Sequence, residues 1–170
     1  NNHDLIIMVH DYPSHCTDLA KTGINLGLSR QQLGINPMLA GIKHLNRLEQ
    51  VLLREELSAR IEDDLLVANI HDEIIEATSA NAFFMIAEQW YTPKVTQSGV
   101  NGIMRQAILQ HFPDIIVGSL ALDAIADAQA MFICNCVMGV MPVRRFNNCV
   151  LDIEQVTVIR DSLKTNGEFQ

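Results

Sequence analysis

Apolar residues recur at three- and four-residue spacing along much of this chain, a pattern that predicts helices. The clearest case starts at Asn36-Pro37, where Asn36 suits an N-cap and Pro37 the first turn. Leu39, Ile42, Leu45, Leu48, Leu52, Leu57 and Ile61 then form one face, with Arg47, Glu49, Arg54, Glu55 and Glu56 on the solvated side. Residues 17–28 predict a weaker helix, interrupted by Gly23 and Gly27. Acidic Glu62-Asp63-Asp64 suits the positive end of a helix over 65–77, although the apolar run 65–70 also reads as a strand. Further helices are expected over 80–90, 100–112, 120–137 and 152–165, the last stopped by Asn166-Gly167.

The composition makes the chain globular. Hydrophobic residues are 48% and charged residues 19%, and 170 residues fit a single domain, 1–170. A net charge of −8 argues against a broad nucleic-acid surface but leaves room for a local basic pocket, and a homo-oligomer is allowed. No apolar run reaches the roughly 18 residues of a membrane span. Cys16, Cys134, Cys136 and Cys149 lack metal-knuckle spacing and read as free thiols, which suits a cytoplasmic home.

The adjacent imidazole and carboxylate of His71-Asp72, preceded by an apolar run, are the strongest candidate chemistry. His44 lies at the edge of an apolar helical face. Asp123 and Asp127 are the only charges in the Ala-rich run 120–137, and a carboxylate there needs a partner. Arg144-Arg145 is the only Arg-Arg pair and suits an anion. His10, Asp11, His15 and Cys16 form a rival cluster of ligand types in an expected loop.

The order His44, His71-Asp72, Asp127 resembles the HD-domain metal-dependent phosphohydrolases, an all-helical family. His44-Leu45-Asn46-Arg47-Leu48 is similar to that family's first-ligand helix, and Ile125-Ala126-Asp127-Ala128 to its late ligand site. The resemblance implies an all-α, HD-domain-like helical bundle. It implies a divalent ion (Mn, Co, Fe, Ni or Zn) on His44, His71, Asp72 and Asp127, with Asp123 as a substitute for Asp127. A metal-activated water would then attack a small nucleotide or other phosphate monoester. Glu73 or Glu76 would orient that water, and Arg47, Arg144 and Arg145 would hold the anionic substrate. Ser79-Ala80-Asn81 stands where the nucleotidase branch carries Gly-Asp. Two other outcomes follow from the residues alone. One is an α/β three-layer domain with a short parallel sheet from 5–9, 65–70, 115–117 and 131–134, a small-molecule-binding domain or enzyme without a metal site. The other is a non-catalytic helical scaffold.

Overall fold

A computed structural model describes residues 5–11 and 13–165, without the side chains of His15, Lys164 and Thr165. It is mixed α/β, not a helical bundle. The helices are α1 (His15–Thr22), α2 (Leu48–Ser58), α3 (Ile103–His111) and α4 (Glu154–Thr165). The strands are β1 (Ile24–Leu28), β2 (Asp64–Ala68), β3 (Glu73–Ala77), β4 (Asn81–Ile86), β5 (Gln89–Pro93), β6 (Ile116–Gly118), β7 (Leu120–Ala121), β8 (Ala130–Asn135), β9 (Gly139–Phe146) and β10 (Cys149–Val150). They form one sheet in the order β6-β5-β4-β8-β9-β1-β2-β3-β7, with β10 on β9. The β1–β2, β1–β9 and β5–β6 pairs are parallel, and the others antiparallel.

Burial on both faces explains why the strands carry no alternation. Phe83 and Phe132 face one apolar cluster with Met104 and Ile108 of α3 and Val156, Ile159 and Leu163 of α4. Their neighbours Phe84, Met131 and Ile133 face a second cluster, with Cys16, Ile24, Leu26, Leu66 and Val143. A strand apolar on both faces reads as a continuous apolar run, which spacing alone does not distinguish from a buried helix, and this is why 65–77, 80–90 and 120–137 read as helices. The run 65–77 is instead β2 and β3, joined by a turn in which Asp72 adopts φ 58°. The run 120–137 is β7, a turn and β8.

The long helix expected over 36–61 is reduced to α2. Gly41 adopts φ 80°, outside helical geometry. The backbone around it pairs with residues 99–101: Gly41 N–H donates to Gly99 O at 2.9 Å, and Asn101 N–H to Gly41 O at 3.0 Å. Residues 41–47 are thereby pinned beside the start of α3. The expected helices at 100–112 and 152–165 contain α3 and α4, and the stop at Asn166-Gly167 lies outside the described residues.

Between β3 and β4 the chain leaves one half of the sheet for the other, since β3 lies next to β2 and β7 while β4 lies between β5 and β8. This crossover, Thr78–Ser79–Ala80, together with the pinned 41–47 segment and the start of α3, frames the principal site.

Candidate active site

A cavity of about 380 Å³ opens at that junction. The 41–47 segment contributes Lys43 and Arg47, the crossover contributes Glu76 and Thr78 to Asn81, and the approach to α3 contributes Val100 to Met104. Cys134, Asn135, Cys136 and Val137, from the end of β8 and the following turn, close it.

Glu76 is the buried charge of this cavity, only 5% exposed. Its Oε2 accepts the Val100 N–H at 2.9 Å. Burial pushes its carboxyl up from the ordinary 4.5 to about 7. The Val100 N–H and the cations Arg47 and Lys43 oppose that rise, and the Asp64 carboxylate adds to it. A buried carboxyl held near neutrality beside two cations is the kind of group that active sites assemble.

The N-terminus of α3 supplies the complementary field. Gly102 caps the helix without a side chain, and no acidic residue lies in its first turn. The first-turn N–H groups are left as orphans, and the helix dipole adds positive potential, so the end of α3 suits an anion. A Cβ at Gly102 would clash with Asn81 Oδ1 and displace the Asn81 side chain from its bonds to Val100 and Gly102. Asn81 braces the entrance, donating from Nδ2 to Val100 O at 2.7 Å and accepting the Gly102 N–H at 3.2 Å. Further along α3, buried Arg105 donates to Asn101 Oδ1 at 2.8 Å and to Pro93 O at 2.9 Å, securing the helix to β5. Burial pushes the Cys134 thiol up, so it stands in the cavity wall as a neutral group.

The expected metal site does not form. Among the described residues, no group of three or more His, Cys, Asp or Glu side chains could hold a metal ion. His71 and Asp72 are exposed on the β2–β3 turn, where Asp72 Oδ1 accepts a bond from Gln32 Nε2 at 2.7 Å. Asp123 and Asp127 are exposed in the turn before β8, and Asp123 Oδ1 accepts the N–H of Ala124 at 2.8 Å. His44 follows Lys43 and lines a neighbouring cavity, where its Nδ1 is buried without a partner. Of the rival cluster, His10 and Asp11 are exposed, Cys16 belongs to the core, and the His15 side chain lies outside the described residues.

The remaining expected residues separate. Arg47 and Glu76 meet at the Lys43 cavity. Glu73 sits on the partly exposed side of β3, where bonds from Ser119 and Asn69 hold its carboxyl below the usual range, and Lys94 lies 3.8 Å away. Arg144 and Arg145 are exposed at the end of β9, and Arg144 Nε donates to Asn25 Oδ1 at 3.1 Å. They line a different cavity, with Glu62 and Asn147. Lys43 was missed altogether, because one lysine in a mixed stretch carries no periodic or motif signal. Only the fold shows that it faces a buried carboxylate across a cavity.

The model of the amino-transferase class IV family matches residues 1–146, and the chain belongs to that family. This overturns the HD-domain resemblance and with it the metal-dependent phosphohydrolase activity. The family works with pyridoxal 5′-phosphate, which replaces the expected divalent ion as the cofactor to test.

The chain is 36% identical over 136 residues to the aminodeoxychorismate lyase of Vibrio harveyi, an alignment covering 78% of this chain and 50% of the relative. It is also similar to the crystal structure of 4-amino-4-deoxychorismate lyase from Pseudomonas aeruginosa. There the TM-score is 0.84 at 29% identity, with 90% of this chain and 58% of that one covered. A hypothetical aminotransferase from Mycobacterium tuberculosis, in its α-ketoglutarate and PMP bound form, shares the fold at a TM-score of 0.80 and 14% identity, with 93% and 60% covered. The chain thus spans about half the length of the curated relatives it matches. No helix among the described residues is long and apolar enough to cross a membrane.

Proposed function

We propose that the Lys43–Glu76 cavity binds pyridoxal 5′-phosphate and that the chain serves a 4-amino-4-deoxychorismate lyase reaction. The observation that carries this is the convergence of three different groups on one cavity. A lysine amine, a buried carboxylate and an uncapped helix N-terminus answer the cofactor's aldehyde, its ring nitrogen and its phosphate, respectively. Among the described side chains, Lys43 is the lysine in that cavity's lining.

When bound, pyridoxal phosphate supplies an electron sink for charge developing on a substrate carbon. Lys43 would hold the aldehyde carbon and carry a proton on Nζ to or from substrate. Glu76 would hold the proton of the ring nitrogen, and that positive charge would draw Glu76 into its ionised form. The N–H groups at the start of α3, kept open by Gly102, would hold the phosphate. Arg47 would meet a carboxylate of a small anionic substrate, for which its planar fork is suited.

The lyase is favoured over amino transfer by similarity. The Vibrio harveyi lyase is 36% identical, whereas a branched-chain-amino-acid aminotransferase homologue of Methanocaldococcus jannaschii is 24% identical. The test is to load the chain with pyridoxal phosphate and follow consumption of 4-amino-4-deoxychorismate beside amino transfer from branched-chain amino acids. Consumption of the first without the second is expected. Amino transfer alone would overturn the lyase assignment.

A further inference from the structure

We infer that Asp64, which stands outside the cavity, is a positioning residue for it: Asp64 fixes the crossover wall that runs from Glu76 to the start of α3. Asp64 opens β2 and is 5% exposed. A carboxylate so buried is costly unless its oxygens are satisfied, and these are spent on one short segment. Its Oδ1 accepts the Thr78 hydroxyl at 2.6 Å, the Leu65 N–H at 2.7 Å and the Thr78 N–H at 3.1 Å. Its Oδ2 lies 3.4 Å from the Ser79 hydroxyl.

Thr78 and Ser79 belong to the crossover, outside any strand. Its backbone is held by Thr78 N–H to Leu65 O at 3.1 Å, Ala77 N–H to Ala80 O at 2.7 Å and Asn135 Nδ2 to Ser79 O at 3.1 Å, and Asp64 adds the bonds to the side chains of Thr78 and Ser79. Both line the cavity, as do Ala80 and Asn81, whereas Asp64 does not. Two residues before Thr78 is Glu76, and three after it is Asn81, which bonds Val100 and Gly102 at the helix start. One buried carboxylate therefore fixes the side chains of the segment that joins the two ends of the cavity. Its charge acts as well. Glu76 is faced by Lys43 and Arg47 from the 41–47 segment and by Asp64 from β2, and Asp64 is the like charge that helps Glu76 keep its proton. Arg54 of α2 is the cation acting on Asp64.

The inference rests on the reading of the cavity as the pyridoxal phosphate site, so its test has one arm that needs the cofactor and one that does not. Asp64→Asn keeps an acceptor for Thr78 Oγ1 and removes the charge. In the full chain without cofactor, amide exchange at Thr78, Ser79, Asn81 and Gly102 is expected to accelerate about tenfold, with an unchanged far-UV circular dichroism spectrum. With pyridoxal phosphate added, the dissociation constant is expected to rise about tenfold, the scale of one lost hydrogen bond to a charged group. The pH midpoint of the bound cofactor's absorbance is expected to move down, because a negative neighbour of Glu76 is gone.

Parental exchange at those amides would overturn the proposal whether or not the cofactor binds. A lowered melting temperature with parental affinity and midpoint would also overturn it, since that is the mark of a purely structural residue. Should Asp64→Asn not fold, Thr78→Val removes the hydroxyl alone. Faster exchange at the crossover and weaker cofactor binding are then the supporting results, and parental values the refuting ones. If the parent shows no saturable cofactor absorbance, the assignment of the cavity fails, while the exchange arm still decides what Asp64 does.

Discussion

Replacing Glu76 by glutamine should make the cofactor-free chain more stable at alkaline pH while weakening its site. Burial holds the Glu76 proton up to about 7, whereas the unfolded chain releases it near the ordinary 4.5. Between those values the folded state binds more protons than the unfolded one, so stability falls as pH rises through the window. The loss is absent below the lower value and complete above the upper one. At 1.36 kcal/mol per pH unit the full loss is about 3 kcal/mol. Glu76→Gln has no such titration, and its amide oxygen can still accept the Val100 N–H. Urea unfolding of the parent and the variant at pH 4.5, 6, 7 and 8, followed by circular dichroism, measures the difference. Near-equal stabilities at pH 4.5 and a variant about 3 kcal/mol more stable at pH 8 are expected. Parallel pH profiles, or a variant less stable than the parent at pH 8, would show that burial does not hold the Glu76 proton. The same variant should bind pyridoxal phosphate more weakly, a trade of site function against stability.

Lys43→Ala should weaken pyridoxal phosphate binding at least tenfold, measured by absorbance titration, and leave stability within about 0.5 kcal/mol because Lys43 is exposed. Phe132→Ala should destabilise by about 3–5 kcal/mol in urea unfolding. Phe132 is fully buried, stacked on Phe83 at 4.5 Å and edge-on to Trp90 at 5.1 Å. The double variant His71→Ala, Asp72→Asn, and separately treatment with a chelator, should leave pyridoxal phosphate affinity unchanged. A loss of affinity in either would revive a metal role for the β2–β3 turn.

Helix positions on the solvated rim were legible and the sheet was not. Residues of α3 and α4 keep their three- and four-residue spacing because one side of each packs on Phe83 and Phe132. Phe83-Phe84 and Met131-Phe132-Ile133 face opposite clusters at alternate positions, so period two is erased, and Ala80, Ala82, Ala130 and Met131 add helix-forming character. Spacing also cannot register a positive φ, and at Gly41 that conformation keeps the regular-looking stretch before α2 out of the helix.

At the site, Glu76 and Arg47 are legible as charges and do meet at one cavity, but not around the metal-bound water and phosphate ester that the HD-domain resemblance implies. His44, the candidate ligand by residue type, lies one residue beyond the lysine in the cavity wall. His71-Asp72 is a turn pair whose Asp tolerates φ 58°, a structural use of the same two letters. Asp64 could not have been told from its exposed neighbour Asp63 without the sheet that buries it.

The most direct test of the account is to incubate the chain with pyridoxal phosphate, reduce with borohydride and map the labelled peptide by mass spectrometry. One phosphopyridoxyl group is expected, on Lys43, and none in the Lys43→Ala variant. Label on Lys21, Lys94 or Lys164 instead, or no label at saturating cofactor, would contradict it.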